Sequence, residues 1–462
     1  MSIKSFKGGI HPPERKDATR NLPVEARFPS TKLVWIPVTQ GGAPNKPLVS
    51  VGDSVARGQK IAESDAFMSA PVHASVAGTV KKIETHLVTG NVDVPCIVIE
   101  ADGSDRTAFL SPLDPFTATR EESLARVREA GLVGMGGASF PTHVKLNPPK
   151  GAKIDYLLAN GAECEPYLTI DARIMEEDAV KVVDGVAIAM HITGAAEGII
   201  VLEENKADLV PVLEAAAAKL RENPVGPGAC KISVALCKTK YPQGGEKMLI
   251  KAVTGREVPS GGLPSAAGCV VQNVGTLKAL SEAFREGKPL IERGLTISGG
   301  ACATPKNILV PIGTLVGDLI PEVVTLNPGV AKIISGGPMM GFAMKSASFP
   351  VQKNTSGVLF LTAKETALVD EDPCIGCGRC ISVCSCRLAP VLIARAVKAG
   401  NLEEAKRCGL MDCVECGTCA YVCPARVKLV QHFRIGKLMV RTEMAKQAAK
   451  KAAAGTDTKG AK

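Results

Sequence analysis

Short runs of alternating apolar and polar positions, cut by glycine turns, dominate residues 31 to 102, with VGDSVARGQKIAES and ASVAGTVKKI as the clearest examples. The pattern predicts brief strands joined by tight turns, one at Gly52-Asp53 and another at Gly78. From about 103 to 285 the period lengthens. Helix-compatible stretches from Arg120 to Ala130 and from Glu177 to Met190 alternate with the apolar runs IDYLLAN and GIIVLEE. That alternation predicts a layered α/β domain. Residues 286 to 350 follow as strand, hairpin, strand and helix through GLTISGG, NILVPIG and TLVGDLI, and end in the glycine-rich SGGPMMG. Between Leu388 and Cys408 the apolar residues Leu392, Ala396 and Val397 recur at helical spacing. This stretch bridges two cysteine runs offset by 39 residues, the one internal repeat in the chain.

A chain of 462 residues exceeds the size at which a single core stops growing, so several modules are expected. Apolar residues at 45% and charged residues at 22% are the composition of ordinary globular domains. No stretch approaches the roughly 20 uninterrupted apolar residues of a membrane span; the segment from Val186 to Leu202 is broken by His191 and Glu197. The opening MSIKSFKGGIHPP has no apolar core after its lysines and does not read as a secretory signal. The net charge of +9 is concentrated: from Arg426 onward ten Lys or Arg face Glu443 and Asp457, which leaves the body near neutral. A basic tail of this kind suits an anionic membrane surface or an acidic partner, and equally a solvated helix that frays after Ala454. It is not an aromatic-lined nucleic-acid groove.

The cysteines carry the chemistry. CIGCGRCISVC and CVECGTCAYVCP both fit C-x2-C-x2-C-x3-C, the spacing of bacterial two-cluster ferredoxins. A tight loop sets three thiolates around one face of an iron–sulfur cube, and the following helix carries the fourth cysteine to the other cube. The expected ligand sets are therefore crossed: Cys374, Cys377, Cys380 and Cys423 for one [4Fe-4S] cluster, and Cys413, Cys416, Cys419 and Cys384 for the second. Zinc also takes four thiolates in C-x2-C pairs, but has no use for a third cysteine at this spacing. Eight of sixteen cysteines in such runs favour a reducing, cytosolic setting over disulfides. Pro424 follows Cys423, whereas Ser385 and Cys386 follow Cys384, so Cys386 competes with Cys384 as a ligand or stands by. Cys164 and Cys408 read as buried small apolar residues.

A second constellation starts at GLVGMGGASFPTHVK, residues 131 to 145, where Gly134, Gly136 and Gly137 let backbone amides converge on a phosphate or flavin edge. Residues 131 to 176 resemble the flavin- and NADH-binding region of the complex I flavoprotein subunit, in which a G-x-G-G-x-x-F-P-T loop precedes an N-x-x-E-x-E-P turn. The resemblance continues at YPQGGE, Tyr241 to Glu246, and at QNVGT, Gln272 to Thr276. It implies FMN held by Gly134, Gly136, Gly137, Lys145, Asn160, Asn273 and Thr276, with Glu163, Glu165 and Glu246 toward the nicotinamide of NAD(H). Met135 and Ala162 stand where that family carries an arginine and an acidic residue.

Residues 31 to 102 resemble the barrel-sandwich hybrid of lipoyl and biotinyl carriers. The stretch Ser64 to Ala77 has no lysine, so the module is expected to be structural. The order of modules, beginning with GGIHPP at Gly8 to Pro13, resembles the RnfC family of Rnf ferredoxin:NAD electron-transport complexes over nearly the whole chain. The implied organisation is an N-terminal arm (1–30), the barrel-sandwich hybrid (31–102), a Rossmann-like α/β FMN/NADH domain (103–285), a β-grasp module (286–350), an α-helical two-[4Fe-4S] ferredoxin-like domain (351–436) and a basic tail (437–462). The resemblance also implies a peripheral subunit on the cytoplasmic face of the membrane, docked on the other subunits of a complex that moves sodium ions or protons. It names no catalytic side chain, since hydride transfer between NADH and FMN requires no protein acid or base. A flavin-dependent cobalamin reductase of the propanediol-utilisation type shares most of these modules. A non-enzymatic iron–sulfur relay is the remaining alternative.

Overall fold

The computed structural model describes residues 2–222, 230–366 and 369–457, with side chains described as far as residue 448. They divide into two compact units: a large one, and a smaller one built from Phe6–His11, Ser260–Gly262 and the C-terminal region. Within the described residues no helix is long and apolar enough to cross a membrane.

The large unit begins with two small antiparallel sheets. Leu33–Pro37, Val92–Ala101, Gly78–Val88 and Ser54–Val55 form one, and Lys46–Pro47, Lys60–Glu63 and Val72–His73 the other. Alternation along the strands turns Val34, Ile36, Val80, Ile97 and Ile99 inward, where they meet Val55, Ile61 and Val72. Gly78 has no room for a side chain: a Cβ there would lie 2.0 Å from the Glu100 carbonyl oxygen.

A fully parallel sheet follows, in the order Ile232–Cys237, Glu197–Glu203, Tyr156–Gly161, Cys269–Asn273. These strands are near-continuous apolar runs because helices cover both faces. Two of the helices, Ala179–Thr193 and Val274–Arg285, cross so closely that a Cβ on Gly185 would lie 2.0 Å from the Leu277 carbonyl oxygen. The helix expected from Glu177 to Met190 is present as Ala179–Thr193, and a separate helix, Ile170–Glu177, precedes it. Asp178 leaves helical geometry between them at φ −119° and ψ 29°, consistent with the weak helix preference of aspartate.

A six-stranded mixed sheet closes the large unit, in the order Val24–Ala26, Lys306–Pro311, Glu292–Ser298, Gly357–Thr362, Val330–Ser335, Phe342–Met344. GLTISGG and NILVPIG form its antiparallel hairpin, whereas TLVGDLI holds a 3-10 turn, Val316–Leu319. Two strands lie outside the 286–350 span: Val24–Ala26 comes from the N-terminal arm and Gly357–Thr362 from beyond Pro350. Strand pairing registers such partners, and periodicity within one segment cannot.

The smaller unit is helical. Pro390–Lys398, started by a proline in its first turn, packs with Leu402–Arg407 and the long helix Leu429–Asp457 around Ile393, Val397, Leu410 and Phe433. Residues 458–462, the end of the expected basic tail, lie outside the described residues.

Candidate cofactor sites

Ligands of open parallel sheets sit beyond the carboxyl ends of the strands, and the separated motifs of the large unit converge there. Asn160 is the penultimate residue of the strand Tyr156–Gly161, and Gln272 and Asn273 end Cys269–Asn273. Asn160 Nδ2 donates to the carbonyl of Gly244 in YPQGGE at 2.8 Å, and its Oδ1 accepts from the Ala162 amide at 3.3 Å. Asn273 caps the helix Val274–Arg285, accepting from the Gly275 amide at 2.9 Å, while its Nδ2 donates to Asp171 Oδ2 at 2.7 Å. Thr276 is buried, and its hydroxyl accepts from the Met135 amide at 3.0 Å, which ties the glycine loop to the same helix.

The loop itself is open on one side. A Cβ on Gly136 would touch Asn273 at 3.6 Å, whereas one on Gly137, at φ +113°, would meet nothing within 4 Å. Free space beside a glycine backbone next to Asn273 is what a flavin or phosphate needs. Polar atoms nearby also want partners: both side-chain polar atoms of fully buried Gln243 and the Gln272 Nε2 lack a hydrogen bond. Lys145, closing the short helix Thr142–Lys145, is ion-paired with Glu246 at 2.6 Å.

The other carboxylates are committed internally. Glu163 Oε1 accepts from the Asp171 amide at 2.6 Å, and Lys16 lies 3.9 Å from its Oε2. Glu165 accepts from the Met339 and Met340 amides, each at 2.9 Å, which locks the SGGPMMG loop. Burial pushes both carboxyls up to about 7, against the pull of these donors. Sequence reasoning did not find the buried cations that answer them. Lys16 donates to the carbonyls of Glu163, Glu165 and Leu168. Lys206 donates to the Ala162 carbonyl at 2.7 Å, and fully buried Arg293 to the Met135 carbonyl at 3.0 Å. Met135 and Ala162, the two departures from the complex I pattern, are thus held through their backbones by these cations. The one signal available was a charge set inside an apolar run, as Arg293 is in LIERGLTIS.

In the smaller unit the cysteines separate into two cavities. Cys374, Cys377 and Cys380 line one together with Cys423, in an opening of about 500 Å³. Cys413, Cys416 and Cys419 line the other together with Cys384 and Cys386, in a tighter space of about 20 Å³. Each cavity therefore joins three thiols of one run to the last thiol of the other. The loops repeat in conformation as well as spacing: Gly376, Gly378 and Arg387 have positive φ, and so do Glu415, Gly417 and Arg426, each 39 residues on. Glu415 occupies the place of Gly376 at φ 56°, held by Lys437 at 2.7 Å and Arg434 at 3.1 Å from the long helix. Backbone amides point at sulfur, from Leu388 to Cys384 at 3.3 Å and from Glu415 to Cys413 at 3.4 Å. Gly8, at φ +91°, packs where a Cβ would lie 2.9 Å from the Cys384 carbonyl oxygen, so part of GGIHPP braces this loop. Burial pushes the Cys413 and Cys419 thiols up to about 12, so their ionised forms need a cation beside them. Convergent thiols, joined in the second cavity by amide donors, are the chemistry of iron–sulfur ligation.

Comparison with known proteins agrees with this division. Residues 4–104 match the RnfC barrel sandwich hybrid domain, 127–282 the Nuo51 FMN-binding domain and 366–444 a 4Fe-4S dicluster domain. The chain is 47% identical to the RnfC-type subunit of the proton-translocating ferredoxin:NAD(+) oxidoreductase complex of Clostridium ljungdahlii, over 94% of this chain and 93% of that one. It is 42% identical to the corresponding subunit of the Na(+)-translocating complex of Acetobacterium woodii, over 95% and 98%. Against its counterpart in the ion-translocating oxidoreductase complex of Rhodobacter capsulatus the identity is 41%, over 94% and 82%.

Proposed function

The chain belongs to the RnfC family of ion-translocating ferredoxin:NAD(+) oxidoreductase complexes, and from that premise we propose that it is the NAD(H)- and FMN-binding electron-transfer subunit of such a complex. The observation that carries the reading is the crossed sorting of eight cysteines into two cavities, which matches the ligand exchange of two-cluster ferredoxins. FMN, when bound, accepts a two-electron hydride and releases single electrons, the form in which [4Fe-4S] clusters carry them.

The residues of the chain position and neutralise. The loop of Gly134, Gly136 and Gly137 would line the flavin, the Gly134 amide being tied to the Phe140 carbonyl at 2.8 Å, with Asn160, Asn273 and Thr276 fixing the loop and the strand ends around it. Lys145, paired with Glu246 at 2.6 Å, would supply the positive charge for the flavin phosphate, and Glu246 would be the carboxylate for ribose hydroxyls. Glu163 and Glu165 act from behind, holding the turn between Asn160 and the SGGPMMG loop. In one cluster Cys374, Cys377, Cys380 and Cys423 are the ligands, and in the other Cys413, Cys416, Cys419 and Cys384. Basic residues and the exposed Ile435, Leu438 and Met444 of the long C-terminal helix support peripheral docking, on membrane subunits or anionic lipid at the cytoplasmic face.

Protein purified without oxygen is expected to hold about eight iron and eight sulfide and one FMN, and NADH should bleach the flavin. Zinc in place of iron, or no acid-labile sulfide, overturns the reading; clusters without flavin reduce it to an iron–sulfur relay.

A further inference from the structure

The two cysteine cavities differ by one thiol. In the first, Cys423 is followed by Pro424 and Ala425, and Ala425 is buried at 5% exposure. In the second, the equivalent places hold Ser385 and Cys386, and Cys386 lines the same cavity as Cys384, Cys413, Cys416 and Cys419. An iron cube takes four protein ligands, and five thiols face this one. Cys386 also lies at the partner loop, lining the cavity together with Val414, which stands between Cys413 and Cys416. The cysteines are two residues apart on a loop where Ser385 stands in place of a φ-locking proline.

We propose that Cys386 is a reserve ligand of the second cluster, able to take the coordination place of Cys384. The exchange is balanced: one iron–sulfur bond to Cys384 breaks, one to Cys386 forms, and the proton leaving the Cys386 thiol goes to the Cys384 thiolate. No electron changes hands. The first cluster has no such reserve, because Ala425 stands where Cys386 would be. This rests on the two-cluster reading above.

The test uses the full chain purified without oxygen, as wild type, Cys384→Ala, Cys386→Ala, the double variant, and Cys423→Ala. Iron and acid-labile sulfide are measured with the low-temperature EPR spectrum after dithionite. Cys384→Ala should keep about eight iron with shifted g-values in one of two signals, while the double variant and Cys423→Ala fall to about four. Cys386→Ala should match wild type, since Ala425 already fits the equivalent place. If Cys384→Ala loses as much iron as the double variant while Cys386→Ala stays full, the reserve-ligand proposal is wrong and the two-cluster reading stands. A wild type without sulfide sinks both.

Discussion

Buried carboxylates stand at the flavin candidate site and half-buried to buried thiols at the second cluster candidate, and in both places burial favours the neutral form: Glu163 and Glu165 are raised to about 7, Cys413 and Cys419 to about 12. They differ in what answers them. The carboxylates already have Lys16 and the amides of Asp171, Met339 and Met340. The thiols line cavities with only scattered amide donors. One site is therefore folded by its own charges, while the other leaves a charge to be completed by metal. Folding of the smaller unit should thus be coupled to its metal, and folding of the parallel sheet independent of its cofactor.

The sharpest break of this contrast is ligand removal. Stripping iron with a chelator should strip hydrogen-exchange protection from Pro390–Lys398 and the start of Leu429–Asp457, by several kcal/mol or about a hundredfold or more. Removing flavin should leave Tyr156–Gly161 and Glu197–Glu203 protected; equal losses in both units would end the comparison. Next in size is Lys437→Met. It leaves Glu415 and the Cys413 carbonyl without their buried ammonium partner, and should cost about 2 kcal/mol. The guanidinium chloride concentration that releases half the iron should fall accordingly.

A pH series gives the third. Glu165 binds its proton more tightly folded than unfolded, so its contribution is complete below the ordinary value of 4.5 and is lost as pH rises through about 7. Melting of the large unit should therefore decline across that window. Glu165→Gln should flatten the decline while lowering the acid-side melting point, because its amide nitrogen, a donor only, replaces one of the two oxygens that accept from Met339 and Met340; an unchanged slope would place the titration elsewhere. Smallest is Lys145→Gln. Its partly exposed pair with Glu246 is worth less than about 1 kcal/mol, so thermal stability should hold. Flavin retention should weaken about fivefold, near 1 kcal/mol, in a dialysis measurement.

The same contrast explains what was legible in the sequence. The cluster ligands sit in two runs of fixed spacing, so residue order alone pairs Cys384 with Cys413, Cys416 and Cys419, and the cavities are lined as that order implies. The flavin motifs were recognisable, but not that Glu163 and Glu165 face inward to loops, since no local pattern reports which backbone amide a carboxylate will meet. Lys16 and Arg293 were missed for the same reason: each acts on residues more than a hundred positions away. The strands Val24–Ala26 and Gly357–Thr362 escaped the 286–350 module because pairing across long sequence distance leaves no period.

Lys16 carries a consequence for how the molecule assembles. The segment that bears it is made before the barrel-sandwich module, and its three carbonyl partners are about 150 residues downstream. Until those residues emerge the ammonium has only water to bind, and the flavin end cannot reach its final form. A contact of such high sequence separation makes closure of this end a late and slow event in folding. Synthesis therefore exposes the arm to solvent and chaperones for the whole time that the barrel-sandwich module and the first strand of the parallel sheet are being built.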